Sequence, residues 1–378
     1  YALYGFFQST RYPWPGIELD QRQRDLVALD NGELVYAVAE SANKGRQRLG
    51  NAAIQIKGDP ERPGREVPRR FISVLGGQTL PEGEKSSGRL HLARWIADAK
   101  NPLTARVMVN RLWHYHFGRG IVATPSDFGR QGIPPTHPEL LDYLAARFVD
   151  AGWSMKAMHR WLATSAVYRQ ATQENAKYAA VDADNELLGH FRRRRLDAES
   201  IRDAILFASG RLDRTSGGPH PFPAEKTWKF TQHNPFKAHY PTNRRGVYTM
   251  TQRIQRDPFL ALFDGADSNA STDRRTTSTT SLQALYFLNA PFVHEQSRFA
   301  ADSLLAAHQT DRDRIVAAYR TYFGRLPGDG EIVTAVEYLT QVDAALASSG
   351  VVDGDRPTQS WASLVRALWM SNEFVYLN

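Results

Sequence analysis

The stretch from Ser86 to Gln170 constrains the fold more than any other part of the chain. It reads as four helices with marked ends, and it carries four of the eight tryptophans and five of the eleven histidines. Leu90, Ala93, Ile96 and Ala97 recur at helical spacing, and Asn101-Pro102 ends the run because the residue before proline is driven out of the α region. Leu103 to Phe117 follows as a helix apolar over most of its circumference, stopped by Gly118-Arg119-Gly120. A third start is set by Thr136 and Glu139, spaced as a capping box around Pro138, with Leu140, Leu141, Leu144 and Phe148 as its apolar set. Ser154 caps a fourth helix whose stripe is Met155, Met158, Leu162 and Ala166. This stripe assigns His159 to the core.

Residues 1–87 have a different texture: rich in Pro, Gly and Arg, with short alternating pieces at Glu33–Val38 and Ala53–Lys57 that read as strands between turns. The expected organisation is therefore a β-rich segment and linker over 1–87, then a helical domain over 88–378. The fold class is mainly α, a multi-helix domain with a small β-rich N-terminal portion. Asp197 opens a fifth helix along Ile201, Ile205, Ala208 and Leu212. Residues 214–244 lack any period, and a loop of that length is expected to be either functional or disordered. Val247–Thr251 alternates like a strand, and helices resume at 282–288, 291–307, 311–323, 329–347 and 358–372.

Composition narrows the class. The 378 residues include 47 Lys and Arg against 40 Asp and Glu, a net charge of +7, with no cysteine. Disulfides, thiolate metal sites and a covalent CxxCH haem attachment are thereby excluded from these residues. No apolar run reaches the roughly 20 residues of a membrane span. The opening YALYGFF is expected to be the start of an excised or processed piece of a longer protein. The run Arg192–Arg195 is followed by Asp197, Glu199 and Asp203, and without an aromatic platform it makes nucleic acid an improbable partner.

Several side chains stand out as site candidates. Arg106, Asn110 and His114 are spaced four and four, one polar stripe on an apolar helix; it is either a buried network or a pocket wall with His114 as acid, base or anion ligand. His114 and His116, two apart, point about 200° from each other on a helix and do not share a metal. Asp127 and Arg130 lie on a glycine-flanked turn that either holds itself together or faces a ligand. The 214–244 loop gathers Trp228, His233, Tyr240 and Arg244, flat rings and donors suited to sugar, or aromatics that pin the loop to a core. Asp264 and Asp267, followed by Arg274, are paired carboxylates on one loop; they suit acid/base work on a glycosidic bond or, more plainly, capping or a calcium-like site, although the loop spacing of an EF-hand is absent. No metal site is expected. The strings GxSxG, HExxH, GxxxxGK[ST] and GxGxxG after a strand are all missing.

Six strings in order, NPLTARVMVNRLWHYHFGRGIV, SDFGRQGIPPTHPELLDYLA, RRRRLDAESIRDAIL, LFDGADSN, SLQALYFLNAPFV and MSNEFVYLN, resemble the C-terminal domain of unknown function of planctomycete-type cytochrome C domain-containing proteins. The piece STRYPWPGIELDQRQRDLVAL is similar to the tail of the companion domain that precedes it there. Ser281 and Gly265-Ala266 depart from that pattern, which carries proline and Ala-Pro at those places. The resemblance implies a secreted, periplasmic or cell-envelope protein, with a c-type haem on an upstream domain and no cofactor in this chain. It also implies links to polysaccharide and supplies no catalytic residue. The expected function is an envelope module that binds extracellular polysaccharide or a partner domain. The alternatives are a hydrolase or lyase acting on acidic polysaccharide through Asp264, Asp267 and a histidine, and a scaffold for electron transfer.

Overall fold

A computed structural model describes residues 1–12, 26–41, 48–218, 240–252 and 255–377. Two compact units divide them, the first up to Ser165 and the second from Ala166 onward. Among the described residues there are fourteen α-helices and only two-stranded sheets, so the chain is mainly α.

In the first unit, α1 (Tyr4–Gln8) leads into β1 (Thr10–Arg11), β2 (Leu26–Ala28), β3 (Leu34–Tyr36), β4 (Ala39–Glu40), β5 (Ala52–Gln55) and β6 (Pro63–Val67). The strands pair antiparallel as β1 with β4, β2 with β3 and β5 with β6. Sheets this small cannot bury a core between strands. β4 and α1 are fastened to α2 (Arg89–Ile96) instead. Phe6 stacks on Phe71 at 5.9 Å, Phe71 on Trp95 at 5.0 Å, and Leu92 closes the cluster. At the start of α2, the Ser87 N–H and hydroxyl donate to Glu40 (2.7 and 2.9 Å), while Arg89 donates to the Ala39 carbonyl (2.9 Å). Gly88 is required between them: its φ is +78°, and a Cβ there would lie 2.8 Å from Leu80 and 3.0 Å from Phe6.

The face of α2 that the spacing selects is not the buried one. Leu90 is 60 % exposed and Ile96 45 %, whereas Leu92 and Trp95 face the aromatic cluster. Asn101 then turns the chain by donating to the Trp95 carbonyl and accepting from the Leu103 N–H. α3 (Thr104–Phe117) ends at Gly118, whose φ is +80°. It buries Val109, Asn110, Leu112, Trp113 and Phe117, and packs against α4 (Pro138–Asp150) and α5 (Met155–Thr164). The capping box around Thr136 does not form. His137 is the N-cap residue of α4, and the Thr136 N–H and hydroxyl both go to the Ile121 carbonyl, satisfying the incoming loop rather than the helix. Ser154 does cap α5, accepting from Ala157 at 3.2 Å. On α5 Met158 and Leu162 are buried, but Met155 is 48 % exposed, and His159 is exposed rather than in the core.

The second unit holds α6 (Ala176–Ala179), β7 (Arg194–Arg195), α7 (Ala198–Ala208), α8 (Pro258–Leu262), α9 (Ser281–Asn289), α10 (Pro291–Ala307), α11 (Asp311–Phe323), α12 (Asp329–Ser348), α13 (Arg356–Trp369), α14 (Asn372–Val375) and β8 (Tyr376–Leu377). Its core is one contiguous cluster in which Ile201 and Ile205 of α7, Val293 and Ala301 of α10, Ala318 of α11 and Val365 and Trp369 of α13 are wholly buried. Alanines at 300, 301, 318 and 362 let the helix axes approach closely. Each large side chain here contributes about 1.5–3 kcal/mol by leaving water. The short β7–β8 pair ties the start of this unit to its end. Gly246–Tyr248 forms a 3-10 turn, so the alternating Val247–Thr251 is not a strand. Its backbone lies against α7 instead, where Asp203 accepts from the Gly246 N–H at 2.7 Å.

Candidate functional site

On α3 the polar stripe is a fastening. Arg106 donates to Asp142 of α4 (2.6 Å) and to the Pro102 carbonyl (2.6 Å). Asn110 is wholly buried, and its amide makes a two-way clasp with Val122, donating to the carbonyl (2.9 Å) and accepting from the N–H (2.8 Å). Both polar ends of a buried amide are thus paired. His114 is half-buried and sits edge-on to Tyr115, with ring centroids 5.7 Å apart. The loop beyond carries Asp127, which is exposed and accepts from the Gly129 N–H at 2.8 Å, and Arg130, which is also exposed. Thr124 braces this turn by donating to the Asp127 carbonyl and accepting from the Ile133 N–H.

The carboxylates of the second unit are drawn into separate structures. Asp264 has φ +61°, a left-handed backbone that Asp and Asn tolerate best among residues with a side chain. It accepts from the Ser278 N–H (2.8 Å), from the Ser278 hydroxyl (2.8 Å) and from Arg195 (2.7 Å). Arg195, only 5 % exposed, also donates to the carbonyls of Phe263 and Ser278 and to Gln283. Burial pushes the Asp264 carboxyl up, but the bonds from Ser278 and Arg195 outweigh it and hold the group below its ordinary value. An acid catalyst needs the opposite shift. Asp267 accepts from the Asn269 N–H and side-chain amide, which lower it in that order. Arg274 is exposed, and its neighbour Arg275 pairs with Glu199 of α7.

Of the loop residues, Trp228 and His233 lie outside the described residues. Tyr240 is half-buried. Arg244 lies 4.0 Å over the Tyr248 ring and donates to the carbonyls of Thr215 and Gly217. Arg202 of α7 donates to the carbonyls of Thr242 and Arg244, and burial pulls its guanidinium below the usual range. Burial also raises its neighbour Asp203.

A concavity of the second unit was missed by sequence reasoning. It is a cavity of about 360 Å³ lined by Met250, Gln252, Gln255, Arg256, Asp257, Pro258, Phe259 and Tyr286. Its walls are fixed from behind. Asp257 caps α8 through the Leu260 N–H (3.0 Å), Arg256 donates to the Gly265 carbonyl (2.7 Å), and Ser268 donates to the Gln252 carbonyl (2.9 Å). Tyr286 packs on Phe259 at 5.3 Å and Phe263 at 5.7 Å. Burial, then the Asp257 charge, push its phenol up to about 12, so it is a neutral hydroxyl at physiological pH. The signal in the sequence was Asp257-Pro258, a helix N-cap followed by proline, directly after the polar Gln252–Arg256.

A family model described as PSD1, a protein of unknown function (DUF1553), matches residues 88–339 of the 378. The chain belongs to the PSD1 family. This is the domain that the six ordered motifs resemble. The PSD1 match spans both compact units and includes the clasp at Asn110, the Arg195–Asp264 knot and the cavity at Tyr286. No curated protein and no solved structure matches the chain. No helix among the described residues is long and apolar enough to cross a membrane.

Proposed function

We propose that this PSD1 chain is a noncatalytic binding module of a cell-envelope or secreted protein, and that the cavity at Tyr286 takes one or two sugar units of an extracellular polysaccharide. The observation that carries the reading is the mixed character of that cavity. An aromatic pair, Tyr286 and Phe259, lies beside amide and charged groups at Gln252, Gln255, Arg256 and Asp257. Sugars ask for this combination, because their ring faces are apolar and their edges carry hydroxyls that both donate and accept. At about 360 Å³ the cavity is at the small end of ligand sites, which run about 300–1,000 Å³. The neutral Tyr286 hydroxyl and the Asp257 carboxylate supply one donor and several acceptors, while Gln255 and Arg256 are exposed at the rim.

Binding rather than cleavage is favoured by the state of the paired carboxylates. Asp264 is occupied by Ser278 and Arg195, and Asp267 by Asn269, and both are held low. Neither retains the proton that a general acid must give to a leaving glycosidic oxygen.

A glycan array followed by calorimetric titration tests this reading, with Tyr286→Phe combined with Gln255→Ala as the variant. The expected result is binding of at least one oligosaccharide class, weakened tenfold or more in the variant, with no new reducing ends released. An array with no bound glycan, or equal binding by the variant, would refute it.

A further inference from the structure

The first unit holds a concavity of its own, of about 330 Å³, that the proposed function does not use. It lies between the 3-10 turn Ser73–Leu75, the last turn of α2 and the first half of α3. We propose that this slot binds a free medium-chain fatty acid, its hydrocarbon chain in the slot and its carboxylate on Arg111.

The walls decide the class of ligand. Ile72 and Leu75 from the turn, Trp95 and Ile96 from α2, and Val107 and Met108 from α3 make them apolar. Besides Arg111, two polar side chains reach the slot, and both are spent on the backbone. Asn101 donates to the Trp95 carbonyl and accepts from the Leu103 N–H, and the Thr104 hydroxyl donates to the Ile96 carbonyl at 2.6 Å. Nothing in the interior is left to meet the hydroxyl edge of a sugar, so the slot suits a hydrocarbon chain rather than the ligand assigned to the cavity at Tyr286.

Arg111 supplies the other half of the match. Thr104, Val107, Met108 and Arg111 share one face of α3, and helical side chains lean toward the N-terminus, which brings Arg111 back over that wall. Its guanidinium is exposed and, among the described residues, has no carboxylate or hydrogen-bond partner. Arg106, one turn earlier, is already taken by Asp142. A free guanidinium at the lip of an apolar slot calls for a single planar anion, and a carboxylate fits its fork with two parallel hydrogen bonds. Ile72 and Ile96 are exposed at the same lip, and a bound chain would remove their surface from water.

The slot is formed before any ligand arrives. Trp95 is held by its stack on Phe71, and the Leu75 and Gly77 N–H groups both donate to the Ile72 carbonyl (3.0 and 3.1 Å), closing the turn that carries Ile72 and Leu75. A preformed wall spares the ordering cost of binding. The volume is at the small end of ligand sites, which selects a medium chain over a long one.

Calorimetric titration of the intact chain with hexanoate, octanoate and 1-octanol, each below its micelle concentration, tests this. Affinity should rise from hexanoate to octanoate by up to about fourfold per methylene, the equivalent of about 0.8 kcal/mol for each buried CH2. Octanoate should bind at least fivefold tighter than octanol. Arg111→Gln should remove that preference and leave octanol binding unchanged, whereas Ile96→Gln should weaken both ligands. Both residues are exposed, so the variants should keep the wild-type melting temperature by circular dichroism. No octanoate binding at millimolar concentration, no gain with chain length, or equal octanoate binding by Arg111→Gln would overturn the proposal. Arg111-dependent sedimentation with phosphatidylglycerol vesicles that octanoate does not displace would also overturn it, assigning the slot to a membrane surface. A failure of sugar binding would leave this result untouched, since the cavity at Tyr286 belongs to the other unit.

Discussion

Replacing Asp264 separates a buried charge from the backbone it stands on. Asn keeps the left-handed φ of +61° at little cost, whereas Ala adds about 1–2 kcal/mol of steric strain there. Both substitutions remove the partner of Arg195, which is 5 % exposed and cannot recover its solvation in place. Breaking one side of such a pair costs about 3–5 kcal/mol, and the remaining carbonyl and Gln283 acceptors around Arg195 put Asp264→Asn at the lower end, about 3 kcal/mol. Asp264→Ala should then cost about 4–5 kcal/mol. For a unit of this size 1 kcal/mol moves the melting temperature by roughly 2–4 °C, so the Asn variant should melt about 6–12 °C lower. Circular dichroism gives the melting temperature, and hydrogen exchange of the 281–289 peptide assigns the loss to the second unit. The carboxyl is held lower in the folded chain than in the unfolded one, so it stabilises above the unfolded value of about 3.9 and that stability is lost as pH falls through the folded value. Below pH 4 the wild type should therefore lose its advantage over Asp264→Asn. A variant within about 0.5 kcal/mol of the wild type, the scatter of an ordinary surface substitution, would refute the account of the knot.

Three further outcomes follow from the same geometry. Asn110→Ala leaves the Val122 N–H and carbonyl buried without partners, at about 1–3 kcal/mol for each group, and should lower the stability measured by urea unfolding by about 2–6 kcal/mol in total. Gly120→Ala should destabilise by about 1–3 kcal/mol in the same assay, because its Cβ would lie 2.5 Å from the Val122 carbonyl and 2.8 Å from the Asn110 amide. Arg325→Ala breaks a bidentate contact to Glu331, whose carboxyl the Arg325 bonds hold down at about 2, and another to Glu373. All three groups are 30–40 % exposed, so the loss should be no more than about 1 kcal/mol and should shrink in 1 M salt, read by thermal melts at two ionic strengths.

Helix placement was legible because it depends on local chemistry. The Asp197 and Ser154 caps and the Gly118 stop need only neighbouring atoms, and all three stand where the sequence puts them. Legibility failed where a distant partner competed. Thr136 has the spacing of a capping box, yet its hydroxyl goes to Ile121, fifteen residues earlier. The apolar spacing of Leu90 and Ile96 was overruled by an aromatic cluster built from Phe6, Phe71 and Trp95, with two members outside the helix. Arg195 and Asp264 are 69 residues apart, and no local pattern couples them. The cavity at Tyr286 joins Met250, Gln252 and residues 255–259 to a side chain on α9, so its polar groups and Phe259 were visible in sequence without the second ring that completes it.

Hydrogen-exchange mass spectrometry of the chain, alone and saturated with the oligosaccharide taken from the array, bears most directly on the assignment of the cavity. Protection confined to peptides covering 250–260 and 281–289 is the expected result. Unchanged exchange in both peptides while binding persists, with protection appearing elsewhere, would contradict it.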